Sequence, residues 1–472
     1  MEKGSFGVRL AGHMGFLVLM VMSVVLANER VLFIDSAAQL FEMIQRGTFV
    51  IYDHRYTMAV TQLLPLLGIK LGLPLPLLVV LYSVAAPLLG YLAFLWLTYR
   101  VKDLPLAMLL LLPMLCIRHT FFHAISETFS LAIYATLLLA LLRHPGGTLL
   151  RVAGVVFCTL ACVFMHPIGM FFVLFLLGYQ LVDRTDTAVV GRCFRTSPAF
   201  LVCVATLVAA AAVKLSLPSG HDDSYLPSVA DFLYYLRHPG EMTVLRQFAV
   251  RLPDLYFYPL VLYAIAFVWH LRRRQWLRLG WGVAFNAGFI LLTAIVYHAD
   301  AGHIAVERAW LPLVFFAGGP VACEVIPAAG RRIQGTALVL FSLLLLLAFG
   351  KIAVSSRLYR QRIEWLQTVV DEERREGHRK LVAPMADVRD RFKVQSWATA
   401  FETLILSSTD GPEGTVTLYL EEEEPFNENI PDYEVEDAYL AVPWNRLWSY
   451  ATLDPRYFRL PLQGSTVIRI SP

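Results

Sequence analysis

At positions 119–129 the chain reads HTFFHAISETF, with long apolar runs on either side. His119, His123 and Glu127 are spaced i, i+4, i+8, which on a continuous helix puts them on one stripe. Two imidazoles and a carboxylate at that spacing suit a divalent cation or a phosphate. They equally suit a metal-free acid and hydrogen-bonding face, or interfacial residues with no role, and all three readings stay open. Asp35 stands in FIDSAAQLFEMIQRG, where it is either the N-cap of the helix that follows or a base able to take a hydroxyl proton. Asp53, His54 and Arg55 follow in YDHR. Later come His166-Pro167, the triplet HDD at 221–223, His298 and His303 around Asp300, and Glu307-Arg308 in ERAWLP. Arg308, Arg55 and Arg118 are the cations that could neutralise a phosphate. A local pairing of Arg308 with Glu307, or a headgroup contact, is the simpler alternative.

The elements that carry these residues are apolar helices. Of 472 residues 57% are hydrophobic and only 16% charged, where soluble chains are nearer a quarter charged. Mean hydropathy is +0.58. The apolar residues fall in eleven blocks, at 14–27, 75–99, 104–118, 124–142, 149–165, 167–182, 199–216, 255–271, 279–298, 304–323 and 335–354, which predicts a polytopic α-helical membrane protein. The first block reads as a retained span rather than a cleaved signal, because no small-x-small site precedes Glu29. The stretch 57–73, with Pro65, Gly68 and Lys70, reads as an interfacial or re-entrant helix. With the N-terminus in the cytoplasm, every inside connection carries at least two basic residues, including Arg272, Arg273 and Arg274. Counting 57–73 as a span would put that triplet outside.

This topology gathers Asp35, Asp53, His54, His119, His123, Glu127, His298 and His303 at one face, the outer one, as expected of a site. Residues 37, 40, 41 and 44 mark an amphipathic interfacial helix ending at Gly47. Residues 1–354 thus form the membrane domain, with 28–74 as its first outer loop. Residues 355–472 form a small extracytoplasmic α/β domain: a charged helix, then short strands at TVTLYLEEEE, DAYLAVP and STVIRI. The EEEE run reads as a solvated face. The six cysteines show no metal spacing and read as buried free thiols.

The order of these landmarks resembles the GT-C superfamily of polyprenyl-phosphate-sugar-dependent membrane glycosyltransferases. In that superfamily an acidic residue follows the first span, an amphipathic helix ends near a glycine, and a Tyr-Asp-His-like stretch precedes an apolar interfacial helix. Asp35, Gly47, Tyr52, Asp53 and His54 sit at those places, although many members carry paired acids where this chain has Asp35-Ser36. Glu127 matches the family's acid at the start of a span on the next outer connection, and ERAWLP loosely matches a late basic-then-proline string. The resemblance implies a GT-C-like bundle of about eleven transmembrane helices in a cytoplasmic membrane. It also implies inverting transfer of a hexosyl or pentosyl group from a lipid-linked donor to a glycan, lipid or protein acceptor in cell-envelope glycan biosynthesis. Asp35 and Glu127 would be catalytic. Arg308, Arg55 and Arg118 would hold the donor phosphate, and Asp53, His54, His119, His123, His298 and His303 would contact substrate or a divalent cation. Membrane lipids are partners and nucleic acid is not. The alternatives are a lipid or solute transporter or flippase, and a non-catalytic scaffold. Transporters place polar groups near the bilayer midplane, often with internal repeats; here those groups lie at one face and no repeat is evident.

Overall fold

A computed structural model describes residues 2–125, 127–144, 149–182, 198–217, 227–299, 302–388, 396–422, 438–440, 447–449, 453–462 and 464–470. HDD at 221–223, Asp300, Cys193 and the last two glutamates of the EEEE run lie outside the described residues.

The membrane part is a bundle of helices α1 (Glu2–Val25), α2 (Ala27–Val31), α3 (Asp35–Arg46), α4 (Ala59–Lys70), α5 (Leu75–Leu95), α6 (Leu104–Leu109), α7 (Glu127–Arg143), α8 (Leu149–Met165), α9 (Gly169–Leu181), α10 (Pro198–Ser216), α11 (Val229–Arg237), α12 (Thr243–Arg251), α13 (Phe257–Arg272), α14 (Trp276–Val296), α15 (His303–Trp310), α16 (Pro312–Pro320) and α17 (Arg331–Arg375). Among the described residues, seven helical stretches are long and apolar enough to cross a membrane: Phe6–Val25, Leu75–Val101, Pro198–Ser216, Thr243–Arg272, Trp276–Val296, Ile304–Ala328 and Arg331–Arg375. The other four apolar blocks correspond to shorter helices, Leu104–Cys116, Leu149–Met165, Gly169–Leu181 and α7. Length and composition therefore mark seven of the eleven expected spans. The shorter helices still build the core, which includes Leu138 of α7, Val155 and Cys162 of α8 and Phe172 of α9.

Local chemistry explains several ends. Gly47, at φ 58°, closes α3 with its N–H on Met43 O, 2.9 Å away. The α4 helix has 12 residues, about 18 Å, shorter than a hydrocarbon core. Asp103 caps α6 by accepting from Leu106 N at 3.1 Å and meets His144 Nε2 at 3.1 Å, tying α6 to the end of α7. The α8–α9 turn at His166-Pro167 brings Gly169 so close to α8 that a Cβ there would lie 1.8 Å from Cys162 O.

The expected domain boundary at 354/355 falls inside one continuous helix. The 45 residues of α17 extend about 68 Å, roughly twice a hydrocarbon core, so the last span runs unbroken into the C-terminal unit. That unit holds strands β1 (Lys380–Pro384), β2 (Thr417–Glu421) and β5 (Thr466–Val467) in a parallel sheet of order β2-β1-β5, and helix α18 (Ser396–Ser407) connects β1 to β2. Strands β3 (Ala438–Leu440) and β4 (Leu447–Ser449) pair as an antiparallel ribbon. Glu421 is buried at the end of β2 and Glu422 after it is exposed, so the acidic run starts inside the sheet and leaves it at once. The unit also shares its core with the first loop: Phe41 of α3 packs against Phe401 and Phe458, with ring centroids 5.1 and 5.5 Å apart. Among the described cysteines, Cys116, Cys158, Cys162 and Cys203 are buried and free, and Cys323 is free and half-buried.

Gly169→Ala should destabilise the bundle by about 1–3 kcal/mol through overpacking. Gly280→Ala, whose new Cβ would meet nothing, should stay within about 0.5 kcal/mol of wild type. Thermal unfolding in detergent measures both.

Candidate functional site

The stretch 117–125 is not a regular helix. A 3-10 turn covers Thr120–Phe122, and α7 begins only at Glu127. The expected stripe of His119, His123 and Glu127 is therefore not formed, because its three members leave the backbone in different directions. His119 Nδ1 meets Tyr359 Oη at 3.2 Å. His123 Nε2 meets Asp35 Oδ2 at 3.0 Å. Glu127 is buried between Arg55 and Arg308, with one carboxylate oxygen on each guanidinium. The only group of three or more candidate metal-ligating side chains among the described residues is Glu373, Glu376 and His378, so a metal held jointly by His119, His123 and Glu127 is not supported.

A loop of non-helical backbone inside an apolar bundle must find acceptors for its N–H groups. Glu307 supplies them. Its carboxylate accepts from Arg118 N at 3.0 Å, His119 N at 3.0 Å and Thr120 N at 2.8 Å. In place of the alternative Glu307–Arg308 pairing there is a division of labour: Glu307 holds the start of the loop and Arg308 reaches the acid at its end. Arg30 braces the other side. Its guanidinium donates to Ser83 Oγ at 2.9 Å, Ser83 O at 3.1 Å and Phe121 O, and lies over the Phe121 ring at 4.1 Å.

Asp35 is the first residue of α3, and Ile34, at φ 47°, occupies the cap position. Asp35 is therefore not an N-cap, but its carboxylate still sits at the positive end of α3. The side chain is 42% exposed, while its partner His123 is buried. Partial burial opposes ionisation. The His123 hydrogen bond and the positive charges of His123 and Arg308 outweigh it, holding the carboxyl below the usual range despite repulsion from Glu127. Asp35, His123, Glu127, Arg55 and Arg308 thus form one electrostatic group.

The C-terminal unit fixes the loop before Asp35. Buried Glu402 of α18 accepts from Ile34 N at 2.7 Å and pairs with buried Arg362 of α17, which donates to Leu32 O at 2.7 Å. Sequence reasoning missed both residues. The available signal was a glutamate inside the apolar run of α18, SWATAFETLILS.

The remaining expected site residues lie differently. Asp53 and His54, at φ 50° and 58°, form a left-handed turn that sends the Arg55 side chain to Glu127; Lys214 Nζ holds Asp53 O at 2.7 Å. Asp53 Oδ2 stands 4.0 Å from Arg55, and His54 Nδ1 is 3.1 Å from Tyr56 Oη. The pair thus form the turn that positions Arg55. Arg118 does not join Arg55 and Arg308 on Glu127; its guanidinium reaches Ser355 Oγ at 2.6 Å and Asp254. His298 stacks on Tyr235, with centroids 4.3 Å apart, and its Nδ1 lies 3.0 Å from Ile295 O. His303 opens α15. His166 Nδ1 accepts from Ile168 N at 3.2 Å, as expected of a helix-end residue.

Glu127→Gln leaves Arg55 and Arg308 without their shared anion. It should cost about 3–5 kcal/mol, more than Arg308→Ala, which leaves the Arg55–Glu127 pair in place. Unfolding midpoints of the two variants in one detergent give the order. Comparison of the chain with protein-family models, curated proteins and solved structures found no match.

Proposed function

We propose that this protein is an inverting membrane glycosyltransferase that uses a polyprenyl-phosphate-linked sugar. The observation carrying this reading is the half-open Asp35 carboxylate, hydrogen-bonded to His123 and held below the usual range by His123 and Arg308, with Arg308 linked to Arg55 through Glu127. In the reaction Asp35 takes the proton of the acceptor hydroxyl as that oxygen bonds to the anomeric carbon. The anomeric C–O bond to phosphate breaks, and its electron pair leaves with the lipid phosphate. Arg308 and Arg55 stabilise the developing charge, two cations against the single charge of Glu127. His123 keeps Asp35 oriented, and Glu127 spaces the arginines. The GT-C-like arrangement, with eleven spans, a cytoplasmic N-terminus and an extracytoplasmic C-terminal unit in a cytoplasmic membrane, belongs to this reading.

Transfer from radiolabelled polyprenyl-phosphate sugars tests it. Asp35→Asn should lower the rate by about 100- to 10,000-fold; equal transfer by the variant removes Asp35 as base. No transfer with any donor, together with solute uptake by vesicles carrying the protein, favours transport instead.

The pH profile tests His123 separately. His123 lowers the pKa of Asp35, so wild-type activity persists as pH falls until the depressed value is crossed. His123→Gln raises that pKa, and the acid limb of the rate profile should move to higher pH. An unmoved limb rules out this role for His123.

A further inference from the structure

A second charged cluster lies apart from the Asp35 group. Lys351 of α17 donates to Asp254 O at 2.8 Å and to Asp254 Oδ1 at 2.5 Å. Arg118 approaches Asp254 Oδ2 at 3.4 Å through one terminal nitrogen. Its other terminal nitrogen has no protein hydrogen-bond partner among the described residues. Two cations therefore share one carboxylate. All three are open: the side chains of Arg118, Lys351 and Asp254 are 33%, 34% and 48% exposed. Glu307, which binds the Arg118 backbone, has its carboxylate on the N–H groups of 118–120.

The surroundings of these charges are apolar. Leu343, Leu347, Lys351 and Val354 fall at helical spacing on one face of α17, and the three apolar members are exposed. Phe257 and Val261, one and two turns beyond Asp254 on the adjoining helix α13, are exposed as well. Lys351 sits about 16 Å along α17 from Arg362, which holds the Asp35 loop, so the cluster is set into the span rather than in the C-terminal unit. Exposed charges at the end of an outward-facing apolar stripe need a partner that supplies both an anion and hydrocarbon.

We propose that Arg118 and Lys351 bind the phosphate of an anionic membrane lipid whose chains lie along Leu343, Leu347 and Phe257. This rests on the reading of Arg331–Arg375 as a membrane span and is independent of Asp35 chemistry. Asp254 occupies the cations when the lipid is absent and competes with it.

The test uses the full-length protein in detergent, titrated with dioleoyl phosphatidylglycerol, dioleoyl phosphatidylcholine or inorganic phosphate, with binding read by native mass spectrometry. Phosphatidylglycerol should bind, and the other two should bind at least about tenfold more weakly. The double variant Arg118→Gln/Lys351→Ala should lose that preference, and Lys351→Arg should keep it. Asp254→Asn should strengthen phosphatidylglycerol binding several-fold, a gain that an ion triad serving only stability would not give. Equal binding of phosphatidylcholine or inorganic phosphate overturns the assignment. So does a retained preference in the double variant, or unchanged or weaker binding by Asp254→Asn. Should the double variant fail to fold, Asp254→Asn alone decides. Asp35→Asn should bind the lipid as wild type does, so failure of the transferase reading and failure of this site are told apart.

Discussion

A buried carboxylate must have donors, and interrupted helix backbone must have acceptors; Glu307 satisfies both needs at once. Its three backbone hydrogen bonds let residues 118–120 leave helical geometry inside the bundle. The next residue, Arg308, closes the same loop at its far end through Glu127. One dipeptide on α15 therefore decides where His119, His123 and Glu127 point. The distances at Asp35 follow from that constraint, because His123 can reach Asp35 only if the loop is irregular.

Asp35 is held from the opposite side by a different part of the chain. Glu402 takes the N–H of Ile34 and Arg362 takes the carbonyl of Leu32, and the two pair with their side chains 0% and 2% exposed. An ion pair so buried adds little net stability over an apolar substitute, but losing one member is costly. Its consequence here is positional, since it fixes the unusual backbone at Ile34 directly before Asp35. The C-terminal unit, sharing a core with α3, belongs to the architecture of the site.

Much was legible in the residues themselves. Apolar blocks marked the helices. Gly47 marked the end of α3. Asp35, Glu127, Arg55 and Arg308 were each singled out, and all four fall in one electrostatic group. The stripe at 119–127 required a helix there, and the Glu307 carboxylate, 187 to 189 residues beyond the N–H groups it binds, takes that backbone out of helical geometry. Arg118 was grouped with the other arginines by charge alone, whereas its partners on Ser355 and Asp254 arise from helix packing. Asp53 and His54 looked like ligands by type, yet their left-handed backbone makes them a turn.

The sequence by itself determined which segments are apolar, where helices must stop, and which polar residues stand at helix ends. These are local properties, written in hydropathy, glycine and proline. Tertiary structure decided the pairings: Asp35 with His123, Glu127 with two arginines, Glu307 with three N–H groups, and Glu402 with the backbone before Asp35. Each joins residues roughly 70 to 370 positions apart. A buried charge takes whichever opposite charge or dipole the packing brings within about 3 Å, and no local pattern encodes that choice.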